Sequence, residues 1–166
     1  MTPELLLKTA IVPALAYLHE RGIEDKLPAR RLMLAIALQE SGLRHRRQVV
    51  SDGSESGPAS SFWQFEAGGG CNGMLTHRTS APIMRQACAD FNVAPTPAGL
   101  WEAMRYNDVL AAIAARLMIY VLPSMLPERV ELGYQQYINA WRPGKPKPAT
   151  WSANWSTADN LLKGAA

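Results

Sequence analysis

The segment DVLAAIAARLMIY, residues 108–120, constrains the fold of this chain more than any other. Only Asp108 and Arg116 are charged in it, and Asn107 precedes it as a residue type that commonly caps helices. A helix that is apolar on nearly every face must be surrounded by other elements. The segment therefore predicts a central helix inside a helical core.

The same opening signals recur along the chain. Thr2-Pro3 and Thr96-Pro97 each combine a capping residue with a proline suited to the first helical turn, and Gly42 is a typical helix stop. These signals predict a mostly helical protein. The expected helices are one from Pro3 with a kink or break near Pro13, others over residues 28–40, 81–91, 97–105, 107–120 and 128–141, and a short last one over 156–163.

Two regions lack helical signals. Residues 42–73 form a long polar segment with seven of the twelve glycines, in which 48–51 or 61–66 could pair as a small hairpin. The proline- and tryptophan-rich stretch 142–155 is expected to be irregular. The sequence thus predicts one mostly α domain over residues 1–166, with its core in 28–144, a long irregular loop or small hairpin lobe between helices, and an irregular tail over 145–166 packed on that core.

Composition narrows the class of protein. With 166 residues, 48% hydrophobic and 19% charged, the chain can bury one full core. The longest apolar runs are only seven residues long, too short to span a membrane. Residues 10–18 are a candidate secretion signal, but Pro13 lies inside them and no cleavage site follows, so we expect a folded helix and no signal peptide.

Charge and cysteine usage exclude little. The net charge of +3 and pI of about 9.0 favour an acidic polymer, such as cell wall or nucleic acid, as the binding partner. The sequence contains neither an RNA-binding motif nor a zinc-finger motif. Cys71 and Cys88 could form one disulfide, but two buried free thiols are the favoured interpretation. The three histidines, His19, His45 and His77, lack ligand spacing, so neither a metal nor a cofactor is expected.

Glu40 is the candidate general acid. It ends an apolar helix, where the partial negative charge of the helix terminus opposes ionisation of a carboxyl group. Phe62 or Trp63 nearby would disfavour the anion further by desolvation. Both effects raise the pKa of a carboxyl group, as a general acid requires near neutral pH. The alternative is an ordinary solvated glutamate at a helix end.

Two sequence blocks surround this acid. Glu40-Ser41 is followed by the segment ASSFWQ, which ends at Gln64. This pair of blocks resembles the lysozyme-like superfamily, specifically the lytic transglycosylases and their phage relatives. Their pattern is a helix ending in Glu-Ser, a loop containing Ser and Gly-Ala, and then Gly-Leu-Met-Gln. Here Ser, Phe and Trp stand where Gly, Leu and Met are usual.

A third block lies near the C-terminus. Tyr137-Ile-Asn139-Ala140 is similar to the Tyr-Asn-Ala-Gly of that family, with one extra residue between Tyr and Asn. Tyr137, or Tyr134 one turn earlier, is therefore the candidate for the tyrosine role. The form GPASSFWQFE resembles phage-encoded members more than bacterial envelope enzymes.

The resemblance implies a lysozyme-like fold and a reaction. Such enzymes cleave the β-1,4 bond between N-acetylmuramic acid and N-acetylglucosamine in peptidoglycan. Transglycosylases use one glutamate, here Glu40, as acid and then as base, while the 6-hydroxyl of the muramoyl sugar closes an anhydro ring. Hydrolytic members need a second carboxylate. Asp52 and Glu55 are the candidates, or else ordinary loop charges, and Glu66 could make a structural hydrogen bond. We expect the single-acid mechanism.

Other residues are candidates for substrate binding. The amide of Gln64 suits an N-acetyl group or the orientation of Glu40, although it could equally stabilise a turn. Aromatic rings in the proline-rich stretch, such as Trp151 and Trp155, could stack on sugars or pack the tail onto the helices. The basic run of residues 44–47 could attract peptide carboxylates or simply be solvated. The substrate-binding set implied by the family and these arguments is Ser41, Gln64, Trp63, Tyr137, Asn139 and Trp141.

The expected partner is therefore the peptidoglycan glycan strand, with no nucleic acid and no membrane span. The protein is expected to be a monomer encoded by a phage or prophage, made in the bacterial host cytoplasm as an endolysin or virion-associated enzyme. Two alternatives remain at this stage. One is a catalytically inactive structural phage tail or virion protein of the same fold. The other is a lysozyme or chitinase-type hydrolase that uses the second carboxylate.

Overall fold

The computed structural model describes residues 1–164 and is mostly helical, as predicted from the sequence. Two short strands and two π-helical segments, Leu7–Ile11 and Ala67–Cys71, accompany the helices. The elements are α1 (Pro3–Leu6), α2 (Val12–His19), α3 (Leu27–Ser41), β1 (Ala59–Ser60), β2 (Phe65–Glu66), α4 (Asn72–Thr76), α5 (Ala81–Asp90), α6 (Pro97–Ala103), α7 (Asp108–Tyr120), α8 (Val130–Trp141) and α9 (Pro148–Gly164).

Helix α7 is the central helix that its apolar sequence predicted. The side chain of Asn107 caps it by accepting a hydrogen bond from the backbone N–H of Leu110. Residues 110–117 are all buried, and α2, α3, α5 and α8 pack around them. Burial on every face explains why the segment carries almost no charge.

The N-terminal helix changes form instead of breaking at Pro13. The π-helical segment Leu7–Ile11 joins α1 to α2 directly before this proline. A proline inside a regular α-helix removes a donor and its ring clashes with the carbonyl four residues earlier, and a wider π turn relieves that clash. Leu6, Ile11 and Leu15 are fully buried. The core therefore begins well before residue 28, and the predicted core of residues 28–144 was too short.

The prediction of an irregular tail over residues 145–166 was wrong. Residues 148–164 form α9, which packs along α3 and against α8, and residues 165 and 166 lie outside the described part. Pro148 sits in its first turn, where a proline is tolerated. Its buried face consists of Trp151, Trp155, Ala158 and Leu162, a spacing of three or four residues that is typical of a helix.

Gly133 allows α8 and α9 to approach closely. A Cβ atom at this position would lie 2.2 Å from Cζ3 of Trp155, inside the ring's van der Waals envelope. The absence of a side chain therefore sets the distance between the two helices, and with it the position of the aromatic residues that α9 presents to α8.

A small hairpin lobe lies between α3 and α4. Strands β1 and β2 pair antiparallel, with Ala59 opposite Glu66 and Ser60 opposite Phe65, which confirms a hairpin near the predicted 61–66. Gln48 extends it by donating its N–H to the carbonyl of Ala59 at 3.0 Å. The hydrogen-bonded part of the lobe therefore begins at Gln48, only a few residues after the end of α3.

The basic run of residues 44–47 is largely structural. Arg46 forms a two-pronged ion pair with Asp108 at the start of α7, with N–O distances of 3.0 and 2.7 Å. Arg47 donates to the carbonyls of Ser56 and Gly57, both at 3.2 Å. The first contact joins the lobe to the helical core, and the second stabilises the lobe internally.

Cys71 and Cys88 are both buried and free, as favoured by the sequence interpretation. Burial raises the pKa of the Cys71 thiol to about 12, so this thiol stays protonated and unreactive. Within residues 1–164, no helix combines the length and apolar character needed to cross a membrane.

Candidate active site

A groove of about 830 Å³ runs between the helical core and the hairpin lobe. The end of α3 supplies Glu40, the hairpin supplies Gln64 and Glu66, and the C-terminal half of α8 supplies Tyr137 and Trp141. Three of the predicted sequence blocks therefore meet in one cavity, although they are far apart along the chain.

Glu40 lies in the last turn of α3 and is half-buried. The helix stops because Gly42 adopts the left-handed conformation, with φ of 58°, and donates its N–H back to the carbonyl of Leu38. The hydroxyl of Tyr137 donates a hydrogen bond of 2.7 Å to Oε1 of Glu40.

The pKa of Glu40 is raised above the ordinary carboxyl value. Desolvation by burial is the main cause, and the hydrogen bond from Tyr137 and the positive charge of Lys147 oppose it. The sequence predicted this direction. A carboxyl group with a raised pKa keeps its proton closer to neutral pH and can donate it to a leaving group.

Tyr137, and not Tyr134, is the tyrosine that contacts the acid. It is buried on α8, and its ring stacks on Trp151 of α9 with centroids 5.3 Å apart and planes inclined by 10°. Burial and the neighbouring Glu40 raise the pKa of Tyr137, so it remains a hydrogen-bond donor. Helix α9 thus supports the residue that orients Glu40.

Ser41 and Gln64 make hydrogen bonds that fix the backbone around the groove. The hydroxyl of Ser41 lies 2.8 Å from the carbonyl oxygen of Phe62 and 3.0 Å from that of Ala37, which ties the end of α3 to the hairpin. Gln64 donates from Nε2 to the carbonyl of Ser61 at 2.7 Å, so it stabilises the turn while it lines the groove.

Trp141 forms an aromatic part of the groove wall. Its Nε1 donates to the carbonyl of Trp63 at 2.8 Å, and its ring packs on Phe65 with centroids 5.7 Å apart. The ring is half-buried, so one part of it is fixed to the hairpin and another part lines the cavity.

Two predicted substrate-binding residues are not in this groove. Trp63 is fully buried and donates from Nε1 to the carbonyl of Met33 at 2.9 Å, so it belongs to the core. Asn139 lines a separate cavity beside Pro143 and Pro146. Of the two alternatives for Trp151 and Trp155, packing onto the helices is the correct one, because both rings are buried.

The two candidate second carboxylates also lie elsewhere. Asp52 is exposed on the loop, and its Oδ1 accepts a hydrogen bond from the N–H of Ser54 at 2.8 Å. Glu55 is exposed and lies 2.9 Å from Nδ1 of His45. Neither carboxylate lines the groove, so neither is placed to act with Glu40.

Sequence reasoning missed several groove residues. Glu66 on β2 lines the cavity as a second carboxylate, and Arg142, Lys145 and Lys147 line it from the segment between α8 and α9. The signal for Glu66 was its place close to Gln64 along the chain, because the turn and the start of β2 together form this side of the groove. The three cations gave no local signal, because only packing of α9 brings them to the site.

Comparison of this chain with protein-family models, curated proteins and solved structures found no match. Within residues 1–164, no group of three or more His, Cys, Asp or Glu side chains is arranged to hold a metal ion.

Proposed function

We propose that this protein is a peptidoglycan-cleaving glycosidase of lysozyme-like fold. It acts on the β-1,4 bond between N-acetylmuramic acid and N-acetylglucosamine, in the manner of a lytic transglycosylase. One observation carries the proposal: Glu40, with its raised pKa, is held by the hydroxyl of Tyr137 at 2.7 Å inside a groove of about 830 Å³. We further propose that it is phage or prophage encoded.

The proposed reaction uses Glu40 twice. The protonated carboxyl group gives its proton to the glycosidic oxygen as the bond to the muramoyl C1 breaks. The resulting carboxylate then takes the proton of the muramoyl 6-hydroxyl, whose oxygen bonds to C1 and closes the anhydro ring. Tyr137 fixes one carboxyl oxygen and leaves the other for the proton transfers.

Glu66 supports hydrolysis as a second candidate reaction. A hydrolytic glycosidase needs a second carboxylate to hold the attacking water or to form a glycosyl intermediate. Glu66 is exposed and lines the same groove as Glu40. The two reactions give different products, because hydrolysis adds a water that anhydro-ring closure does not.

The mass of the released fragments tests the proposal. Purified bacterial sacculi treated with the wild-type protein are expected to release muropeptides one water lighter than hydrolytic products, and Glu66→Gln is expected to give the same products at a similar rate. Hydrolytic fragments that disappear in Glu66→Gln would instead assign the protein as a lysozyme-type hydrolase. Binding without release of any fragment would overturn the glycosidase proposal in favour of a structural role.

The dependence of activity on pH should respond to Lys147. The positive charge of Lys147 lowers the pKa of Glu40, so Lys147→Gln is expected to raise that pKa further. The protonated acid then persists to higher pH, and the descending alkaline limb of the rate profile should move to higher pH. Lys145→Gln removes a charge that is not among the causes that shift the pKa of Glu40, and it should leave the limb nearly in place. An unmoved limb in Lys147→Gln would contradict Glu40 as the titrating acid.

A further inference from the structure

The segment between α8 and α9, residues 142–147 with the sequence RPGKPK, carries an unusual concentration of charge. We call it the basic strap. It has three cations, no acid and two prolines in six residues. Both of its ends are anchored: Trp141 donates to the carbonyl of Trp63 at 2.8 Å, and Gln39 donates to the carbonyl of Lys147 at 2.9 Å.

The cations of the basic strap have no acidic partner. Arg142, Lys145 and Lys147 are exposed, and none of them forms a salt bridge within residues 1–164. Arg46, at the base of the lobe, shows the contrast, because Asp108 neutralises it at 2.7 Å. The basic strap is thus a cluster of uncompensated positive charge at the rim of the groove.

The charge lies beside the bond-cleaving group. All three cations line the groove that contains Glu40, and Lys147 is near enough to lower the pKa of that residue. Against these cations the lining offers only the carboxyl groups of Glu40 and Glu66. A groove with excess positive charge attracts a substrate that carries negative charge near the reacting sugar.

We propose that the basic strap binds the carboxylates of the peptidoglycan stem peptides, so that the protein prefers peptide-bearing glycan strands. This inference rests on the proposed function for the identity of the glycan. The stem peptide is attached to the muramic acid, which is the sugar whose bond is cleaved at Glu40. Its side-chain and terminal carboxylates therefore emerge beside the groove, within reach of long, flexible cationic side chains.

The test compares sacculi that differ only in charge. Native sacculi from a Gram-negative bacterium are compared with sacculi whose carboxylates have been converted to methylamides, and binding is measured by co-sedimentation. Exposed ion pairs contribute only modestly to the free energy of binding. The wild-type protein is therefore expected to bind native sacculi about fivefold more tightly than the methylamide-converted sacculi. Arg142→Gln/Lys145→Gln should remove that preference and lower the rate of fragment release from native sacculi by a similar factor.

The matched control removes the same charge from another surface. Arg78 and Arg129 are exposed, form no salt bridge in the described part of the chain and lie outside the groove. Arg78→Gln/Arg129→Gln should retain the preference. If the control loses it equally, or if the wild-type protein binds both kinds of sacculi alike, the proposal is overturned.

Two further measurements distinguish binding of stem-peptide carboxylates from binding of the bare glycan or of phosphates. Glycan strands stripped of stem peptides by an amidase keep only the lactyl carboxylate, and undiminished binding to them would overturn the stem-peptide assignment. Tighter binding to duplex DNA than to native sacculi at the same salt concentration would assign the basic strap to phosphates and also overturn it. If no fragment is released at all, the glycosidase proposal fails while the binding comparison still decides the role of the basic strap.

Discussion

Replacing Glu40 with glutamine is expected to abolish the clearing of a cell-wall suspension, with a rate loss of about 10²–10⁴-fold. Glutamine has nearly the same shape and can still accept the hydrogen bond from Tyr137, but it cannot donate a proton to a glycosidic oxygen. The loss should therefore appear in the catalytic rate, while binding to sacculi is retained. Turbidity and co-sedimentation measure the two quantities separately.

Glu55→Gln is the matched control for this variant. It makes the same chemical change on the exposed loop outside the groove, so its clearing rate should stay near that of the wild-type protein. Circular dichroism of both variants checks that the fold is intact. Equal clearing by Glu40→Gln and the wild-type protein would remove Glu40 from the role of acid.

The second large effect is expected at Trp151. Trp151→Ala should lower the free energy of unfolding by about 3–5 kcal/mol, the usual range for deleting a buried aromatic side chain. The ring is only 3% exposed, donates from Nε1 to the carbonyl of Val130 at 2.9 Å and stacks on Tyr137. Denaturant unfolding followed by tryptophan fluorescence or circular dichroism gives the change.

The same variant should also weaken catalysis, because Tyr137 loses the ring that supports it. Trp151→Phe keeps an aromatic face against Tyr137 but loses the hydrogen bond to Val130. It should therefore retain most of the activity and cost less stability than the alanine variant. A loss of less than about 1 kcal/mol in Trp151→Ala would show that α9 contributes little to the core.

Local signals predicted most helices because the forces that start and stop a helix are local. Thr2, Thr96 and Asn107 each cap a helix by accepting a backbone N–H three residues later, and Gly42 ends α3. The short helix predicted over residues 156–163 is the second half of α9, and the first half was missed because the prolines before it suggested irregular chain. They all lie at or before its first turn, where they do not interrupt a helix.

The candidate site was predicted only in part, because helical geometry decides which neighbours share a face. Tyr137 and Trp141 are four residues apart on α8 and both reach the groove. Asn139 is two residues from Tyr137, about 200° around the helix, and therefore points to the other side. The hydrogen bond from Tyr137 to Glu40 spans 97 positions, and no local pattern in a single sequence encodes that contact.

The burial of Glu40 also has a thermodynamic consequence for the whole molecule. Because the native state holds this proton more tightly than an unfolded chain with an ordinary carboxyl pKa near 4.5, folding is coupled to proton uptake at this residue. The contribution of Glu40 to conformational stability is therefore greatest in acid and declines as the solution is made alkaline through its raised pKa. The proposed general acid is therefore also a group that favours the folded state less above that pH.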